Sequence, residues 1–251
     1  MKIAIIGGTG FAMPDYLTDV KEEFVDTPFG QPDPVIYRGK LDGNEVLHLA
    51  RNGKNHELPP TKISYRANLF ALKELGCDAI IATGTCSSLQ EEICPGEVII
   101  FDQFIDMTKR PVTGIREELN PGESNYVSMA EPFSEELRDH LIESAILQGI
   151  TVHTKGTTIS IDGQRSSSRA ESRLYRLWNA DVVNMTTAPE AILANELGIA
   201  YAALSLCTGY DSWRQDDMPV NQDEKLDIVK DHYSRIVRLI THAVKKANDQ
   251  T

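Results

Sequence analysis

The chain has 251 residues, 41% of them hydrophobic and 25% charged, which excludes a disordered chain or a coiled coil and needs no disulfide or metal staple at this length. A formal net charge of −12 excludes a general nucleic-acid binder, which displaces counterions with a net-basic surface, but allows an anionic small molecule held by one Arg and a few backbone N–H groups. Cys77, Cys86, Cys94 and Cys207 show no C-x-x-C spacing and no apolar run reaches a membrane span's length, so the expectation is a reduced cytoplasmic protein with no metal and no membrane or nucleic-acid partner.

The chain opens on Ile3–Ile6, an apolar β-rich run that Gly7-Gly8-Thr9-Gly10 stops too early for a signal peptide. Val35–Tyr37 and Val46–Ala50 follow as strands, joined through Leu41-Asp42-Gly43-Asn44, where Gly suits the positive φ of a hairpin turn. Thr61–Leu75 reads as a helix, and Ala79–Thr83 and Val98–Phe101 as buried strands. Thr108–Ser128, with Pro111, Gly114, Pro121 and Gly122, reads as a surface excursion. Beyond it, Ser134–Gln148 is a helix, Thr157–Ile161 a strand, Ser167–Trp178 a helix and Asp181–Asn184 a strand. In the helix Pro189–Leu197, Thr187 is placed to cap the start, Glu190 sits near the positive end and Gly198 stops the run. Ala200–Leu206 is a further strand. The last helix, Gln222–Ala247, carries Leu226, Val229, Tyr233, Ile236, Val237, Ile240 and Val244 as one stripe. Alternating strands and helices predict an α/β fold over residues 1–251, a single-domain three-layer sandwich with a central mixed β-sheet flanked by helices.

Five stretches carry possible chemistry, and each also has a purely structural reading. The turn Gly7-Gly8-Thr9-Gly10 lets backbone approach a ligand closely and adds a hydroxyl, which suits a phosphate; a plain strand-ending turn looks the same. It fits neither a dinucleotide fingerprint, since Met13 stands at the third glycine position, nor a Walker loop. Arg51 in Ala50-Arg51-Asn52-Gly53 offers a guanidinium for a phosphate, or a solvated surface charge. The hydroxyls of Thr186 and Thr187 either bind an anion or cap a helix, and Ser168 with Glu171 reads as a capping box, although Glu171 is also a candidate acceptor for a sugar hydroxyl. Asp211, after a buried strand in Thr208-Gly209-Tyr210-Asp211, is an acid or a turn residue. Trp178 and Trp213 read as packing residues. The absence of a G-x-S-x-G elbow leaves a serine-nucleophile mechanism without support.

Taken in order, seven blocks resemble the trimeric purine nucleoside phosphorylase family, and within it the branch acting on 5′-methylthioadenosine. They are Ile5–Gly10, Asp26–Gly30, Ser64–Asn68, Asp102–Asp106, Met129–Phe133, Ser167–Ser172 and Asp181–Glu190, and the likeness extends from Ile5 to about Trp213. The resemblance implies phosphate-dependent cleavage of the N-glycosidic bond of 5′-methylthioadenosine or a closely related purine nucleoside, giving the free base and a (methylthio)ribose 1-phosphate. Inorganic phosphate is then a co-substrate and no cofactor is required. Position by position, Thr9, Arg51, Asn52, Thr85 and Thr186 would bind phosphate, Met185 would pack on the ribose, and Thr208, Asp211 and Ser166 would line the base pocket. Asp211, Arg51 and Thr186 would be the catalytic group. A homotrimer, or a dimer of trimers, is implied as well, with Tyr126 of a neighbouring copy completing the 5′ pocket.

The departures concentrate on the base. Asn52 stands where a His normally follows the Arg, Gly209 replaces the first of two pocket Asp residues, Gln164 and Ser166 replace a Pro and a base-covering Phe, Ser87 replaces a Gly, and Tyr126 replaces a His. Two alternatives to the methylthioadenosine reading follow: a phosphorylase shifted toward 6-oxopurine nucleosides, or a catalytically weak nucleoside-binding homologue.

Overall fold

A computed structural model describes residues 1–32, 35–109, 114–116, 126–214 and 222–249. Its elements run β1 (Ile3–Gly7), β2 (Thr18–Glu23), β3 (Ile36–Leu41), β4 (Asn44–Ala50), α1 (Tyr65–Glu74), β5 (Ala79–Ser88), β6 (Val98–Ile100), β7 (Gln103–Asp106) and α2 (Glu135–Leu147). Then come β8 (Val152–His153), β9 (Thr157–Ser160), α3 (Arg169–Leu177), β10 (Val182–Asn184), α4 (Thr187–Glu196), β11 (Ala200–Tyr210) and α5 (Gln222–Asp249).

Alternate residues of the central strands enter two different cores. Ile3 and Ile5 of β1, Ala79 and Ile81 of β5, and Ala202, Leu204 and Leu206 of β11 face α2 and α5. Ala4 and Ile6, Ile80 and Ala82, and Tyr201 and Ala203 face α1 and α4. Side chains alternate across a strand, so a run apolar at every position demands a helix layer on each face. The predicted three-layer α/β sandwich with a mixed sheet is therefore what the chain forms. Each fully buried Ile or Leu contributes roughly 1.5–3 kcal/mol of the burial term that holds these layers together.

The sheet among the described residues runs β2-β3-β4-β1-β5-β10-β9-β7, with β11 also on β5, then β6 and β8 beyond it. β1 is parallel to both β4 and β5, and β11 is parallel to β5, whereas β3 against β4 and β10 against β5 are antiparallel. The β3–β4 hairpin turns through Asp42 (φ 48°) and Gly43 (φ 84°), the paired positive values of a tight primed turn.

Some boundaries differ from expectation. α1 begins at Tyr65 rather than Thr61, because Pro60–Lys62 makes a separate 3-10 turn and Ile63 is extended. β5 and β11 continue through polar residues to Ser88 and Tyr210, held by their mutual pairing. Thr187 does not cap α4: it lies inside the first turn and accepts from Asn184 Nδ2 at 2.5 Å, while Thr186 holds the cap position. The capping box on α3 forms, Glu171 N to Ser168 Oγ at 3.2 Å and Ser168 N to a Glu171 oxygen at 2.7 Å. Most of the predicted excursion Thr108–Ser128 lies outside the described residues. No described helix is long and apolar enough to cross a membrane.

Candidate active site

Two parallel strands, β1 and β4, finish side by side where β5 runs on past them. Gly7 is opposite Ala50, and Ile6 is opposite both Leu49 and Ala82, so Gly8-Thr9, Arg51-Asn52 and Gly84-Thr85 emerge together at the carboxyl edge of the sheet. That edge is where open α/β sheets hold ligands. β11 brings Thr208 and Asp211 alongside, and β10 delivers Met185 and Thr186 at the start of α4. These residues line one cavity of about 450 Å3.

Arg51 lies deep in its wall, 3% exposed. Its Nε donates to Glu190 Oε1 at 2.5 Å and one terminal nitrogen to Glu190 Oε2 at 2.8 Å, while the other donates to the Thr83 carbonyl at 2.6 Å. Tyr201 completes the cluster, its hydroxyl donating to Glu190 Oε2 at 2.9 Å. Burial works to discharge Arg51, but the Glu190 carboxylate outweighs it and holds the guanidinium pKa above its ordinary value. Three of five N–H groups are thus occupied, which leaves two. Gly8 is required here: a Cβ on it would stand 2.6 Å from the guanidinium and 2.6 Å from the Thr83 carbonyl. Its N–H donates instead to Thr83 Oγ1 at 3.2 Å.

Around Arg51 stand three hydroxyls. Thr9 belongs to the glycine turn, Thr85 lies in the outer half of β5, and Thr186 caps α4 without a side-chain cap hydrogen bond. Ser160 does the anchoring in its place, accepting from Ala188 N at 3.0 Å and donating to Asn184 Oδ1 at 2.9 Å. The first turn of α4 is thereby fixed, its positive end faces the cavity, and the Thr186 hydroxyl stays available. Asn52 also lines the cavity, but its amide donates to the Leu58 carbonyl at 2.8 Å and so ties down the turn after Arg51.

The opposite end has a different character. Asp211 is 4% exposed and its Oδ2 has no hydrogen-bond partner among the described residues. Burial raises its pKa, only partly countered by the nearby hydroxyls of Ser172 and Ser167 and the Ser212 N–H. Thr208 donates to the Cys86 carbonyl at 3.4 Å. Ile161, Val183 and Met185 supply aliphatic surface, while Gln164 and Ser166 form an exposed rim, and no Phe, Tyr or Trp lines the cavity among the described residues.

Every predicted site residue except Tyr126 lines this cavity. Tyr126 is 96% exposed in the single chain and lines none of it. Glu171 is also absent, engaged with Arg165 at 2.7 and 2.8 Å, a pairing that lowers its pKa to about 2. His56, Leu58 and Lys225 are lining residues that the sequence reading missed. From the sequence alone Glu190 reads as a helix-end charge. Its position inside the otherwise apolar Ala188-Pro189-Glu190-Ala191-Ile192-Leu193 was the available sign of a buried partner.

The family model for the Phosphorylase superfamily matches residues 2–245. The chain belongs to the phosphorylase superfamily. Relatives named S-methyl-5′-thioadenosine phosphorylase include one from Xenopus tropicalis, 43% identical over 97% of this chain and 88% of its own length. Another, from Pyrococcus abyssi, is 43% identical over 99% of this chain and 94% of its own. Among solved structures, methylthioadenosine phosphorylase from Schistosoma mansoni in complex with adenine superposes on this phosphorylase with a TM-score of 0.93, at 33% identity over 99% of this chain and 92% of that one. A variant of the Schistosoma mansoni adenosine/methylthioadenosine phosphorylase in complex with methylthioadenosine gives 0.91 at 34% identity, covering 98% and 92%. The resemblance read from the seven sequence blocks thus holds for the phosphorylase chain as a whole.

Proposed function

We propose that this chain is a pentosyltransferase that cleaves the N-glycosidic bond of 5′-methylthioadenosine, or a close purine nucleoside, with inorganic phosphate. The observation that carries the reading is the cavity itself. Arg51 and the hydroxyls of Thr9, Thr85 and Thr186 gather at one end, and a buried carboxyl, Asp211, with one oxygen unpartnered among the described residues, stands at the other.

In this reading phosphate sits against Thr9, Arg51, Thr85 and Thr186, with Asn52 holding the adjoining turn. Met185 packs on the ribose above it. A phosphate oxygen forms a bond to the anomeric carbon as the bond to the base nitrogen breaks, and the electron pair leaves with the purine. Asp211, whose burial favours the protonated form, donates a proton or a hydrogen bond to the departing ring, with Thr208 and Ser166 lining the same base pocket. Catalysis is then positioning plus charge stabilisation, with no covalent enzyme intermediate and no cofactor. The chain is taken as one domain over residues 1–251 acting in the cytoplasm. It assembles as a homotrimer, or a dimer of trimers, with Tyr126 of a neighbouring copy closing the sugar's 5′ side; the exposure of Tyr126 in the single chain supports that placement.

The test is adenine release from 5′-methylthioadenosine with and without phosphate. Release that requires phosphate is the expected result; no release from any purine nucleoside in a panel overturns the reading and leaves a binding homologue. A second reading, preference for 6-oxopurines, draws on Asp211: ionised, it accepts from a 6-amino group, and protonated, it donates to a 6-oxo group. The ratio of kcat/KM for methylthioadenosine and methylthioinosine decides between them, a tenfold ratio being about 1.4 kcal/mol.

A further inference from the structure

Lys225 lines the cavity, yet neither the sequence blocks nor the proposed chemistry uses it. Its position follows from the stripe it belongs to on α5. Val229 packs so closely on the glycine turn that its Cγ1 lies 2.2 Å from where a Gly10 Cβ would stand. One turn further, the Tyr233 ring lies 4.9 Å from that of Phe11, and its hydroxyl bonds Asp15. Lys225, Val229 and Tyr233 recur at four-residue spacing, so they share one face. Helical side chains also lean toward the N-terminus. Lys225 therefore continues the stripe past Gly10 toward Gly8 and Thr9, the oxyanion end of the cavity.

Charge at that end is otherwise balanced. Glu190 compensates Arg51 inside the wall, and Glu171 compensates Arg165 at the rim. Burial and the Arg51 charge both lower the pKa of His56, which favours its neutral form. Among the described residues lining the cavity, Lys225 is the one lysine or arginine with no hydrogen bond or ion pair. A phosphoryl dianion entering this end meets one uncompensated positive charge, and Lys225 carries it.

We propose that Lys225 binds a phosphoryl group at the glycine-turn end of the cavity, as the second cation beside Arg51. The proposal rests on reading that end as the phosphate site. The phosphoryl group has two possible sources, the inorganic co-substrate or a phosphate on the 5′ carbon of the nucleoside, and both present the same oxygens to an ammonium group.

The experiment compares the parent chain with Lys225→Met and, as a control on the same helix, Lys230→Met, whose lysine pairs with Asp227 at 3.0 Å. Inorganic phosphate is titrated calorimetrically into each protein without nucleoside. Separately, kcat/KM is measured for adenosine and for adenosine 5′-monophosphate at saturating phosphate. A phosphate Kd at least tenfold weaker in Lys225→Met, with Lys230→Met within twofold of the parent, supports the proposal with the co-substrate as source. An unchanged phosphate Kd with a tenfold loss confined to adenosine 5′-monophosphate supports it with the 5′ phosphate as source. Lys225→Met within twofold of the parent on both readouts, or Lys230→Met changing as much, overturns it. The titration needs no turnover, so a chain that releases no base would defeat the proposed function while still reporting on Lys225.

Discussion

Arg51 and Glu190 stand 139 positions apart in the chain and meet as a buried two-bond ion pair, at 2.5 and 2.8 Å, behind the cavity wall. The pairing fixes the plane of the guanidinium and turns its two remaining N–H groups into defined donors. It also neutralises the arginine, so the oxyanion end depends on hydroxyl donors, the α4 terminus and a second cation more than the sequence suggested.

Removing one member of such a pair strands the other. Glu190→Gln keeps the side-chain shape but leaves the Arg51 charge uncompensated in the interior, and is expected to lower unfolding stability by about 3–5 kcal/mol. The double variant Arg51→Met with Glu190→Leu should lose clearly less than the sum of the two single changes, because no lone charge stays buried. Urea unfolding of the four proteins measures this; additive losses would contradict it.

Arg51→Lys retains a positive charge against Glu190 but loses the planar fork. Each charge-assisted hydrogen bond is worth about 1.5–3 kcal/mol. The phosphate KM is therefore expected to rise by tenfold or more, with the nucleoside KM nearly unchanged. Steady-state kinetics at varied phosphate checks the split.

Asp211 works in the direction opposite to a salt-bridged carboxylate. Its folded pKa lies above the ordinary 3.8, so the folded chain holds the proton more tightly than the unfolded one. The stability it contributes is present below pH 3.8 and is lost as pH rises through the folded value. Asp211→Asn removes that pH dependence. It should also slow base release about 100-fold or more, the scale of general-acid catalysis, while the phosphate KM stays within twofold. Unchanged turnover would remove Asp211 from the mechanism.

His48 supplies a second pH effect, away from the chemistry. It is fully buried on β4, with Nδ1 at 2.7 Å from the Tyr16 hydroxyl, and burial lowers its pKa from 6.5 to about 4 despite the Ala12 carbonyl nearby. The folded state resists a proton that the unfolded state accepts. Stability is thus complete above pH 6.5 and falls as pH drops toward 4, by roughly 3 kcal/mol in all, each pKa unit being worth about 1.4 kcal/mol. His48→Gln should flatten the stability difference between pH 6.5 and 5, measured by denaturant titration at each pH.

Ser166 leaves the rim of the base pocket without an aromatic cover. Ser166→Phe is expected to lower the nucleoside KM by about 2- to 12-fold, the equivalent of a 0.5–1.5 kcal/mol aromatic contact. Competition between methylthioadenosine and methylthioinosine on the variant shows whether the ring also changes base preference.

Much of this architecture was legible in the sequence because β1, β5 and β11 are apolar at successive positions, and that pattern demands two helix layers. β2, Thr-Asp-Val-Lys-Glu-Glu, escaped because it is an exposed edge strand with no apolar alternation, and β8 because two residues carry no period. β7 escaped for a related reason: it is half-buried throughout, so neither face stands out. Thr85, inside β5, came only from the family resemblance, whereas motif residues that follow strand ends, Thr9, Arg51 and Thr186, were found from local chemistry, since turn glycines and hydroxyls mark themselves. Glu190 and Lys225 were not, because their roles arise from contacts made across the fold. Local reasoning misread Thr187 in part for the same cause: Ser160 reaches in from β9 to accept from Ala188 N, while Asn184, just upstream, occupies the Thr187 hydroxyl.

The most direct measurement is a crystal structure of the protein soaked with methylthioadenosine and sulfate, the sulfate standing in for the attacking phosphate. The account predicts one tetrahedral anion within hydrogen-bond reach of the free Arg51 N–H groups and the hydroxyls of Thr9 and Thr186, lying under the anomeric carbon, with the purine edge on Asp211. A nucleoside seated with its purine away from Asp211, or an anion bound elsewhere while those hydroxyls face away from it, would contradict it.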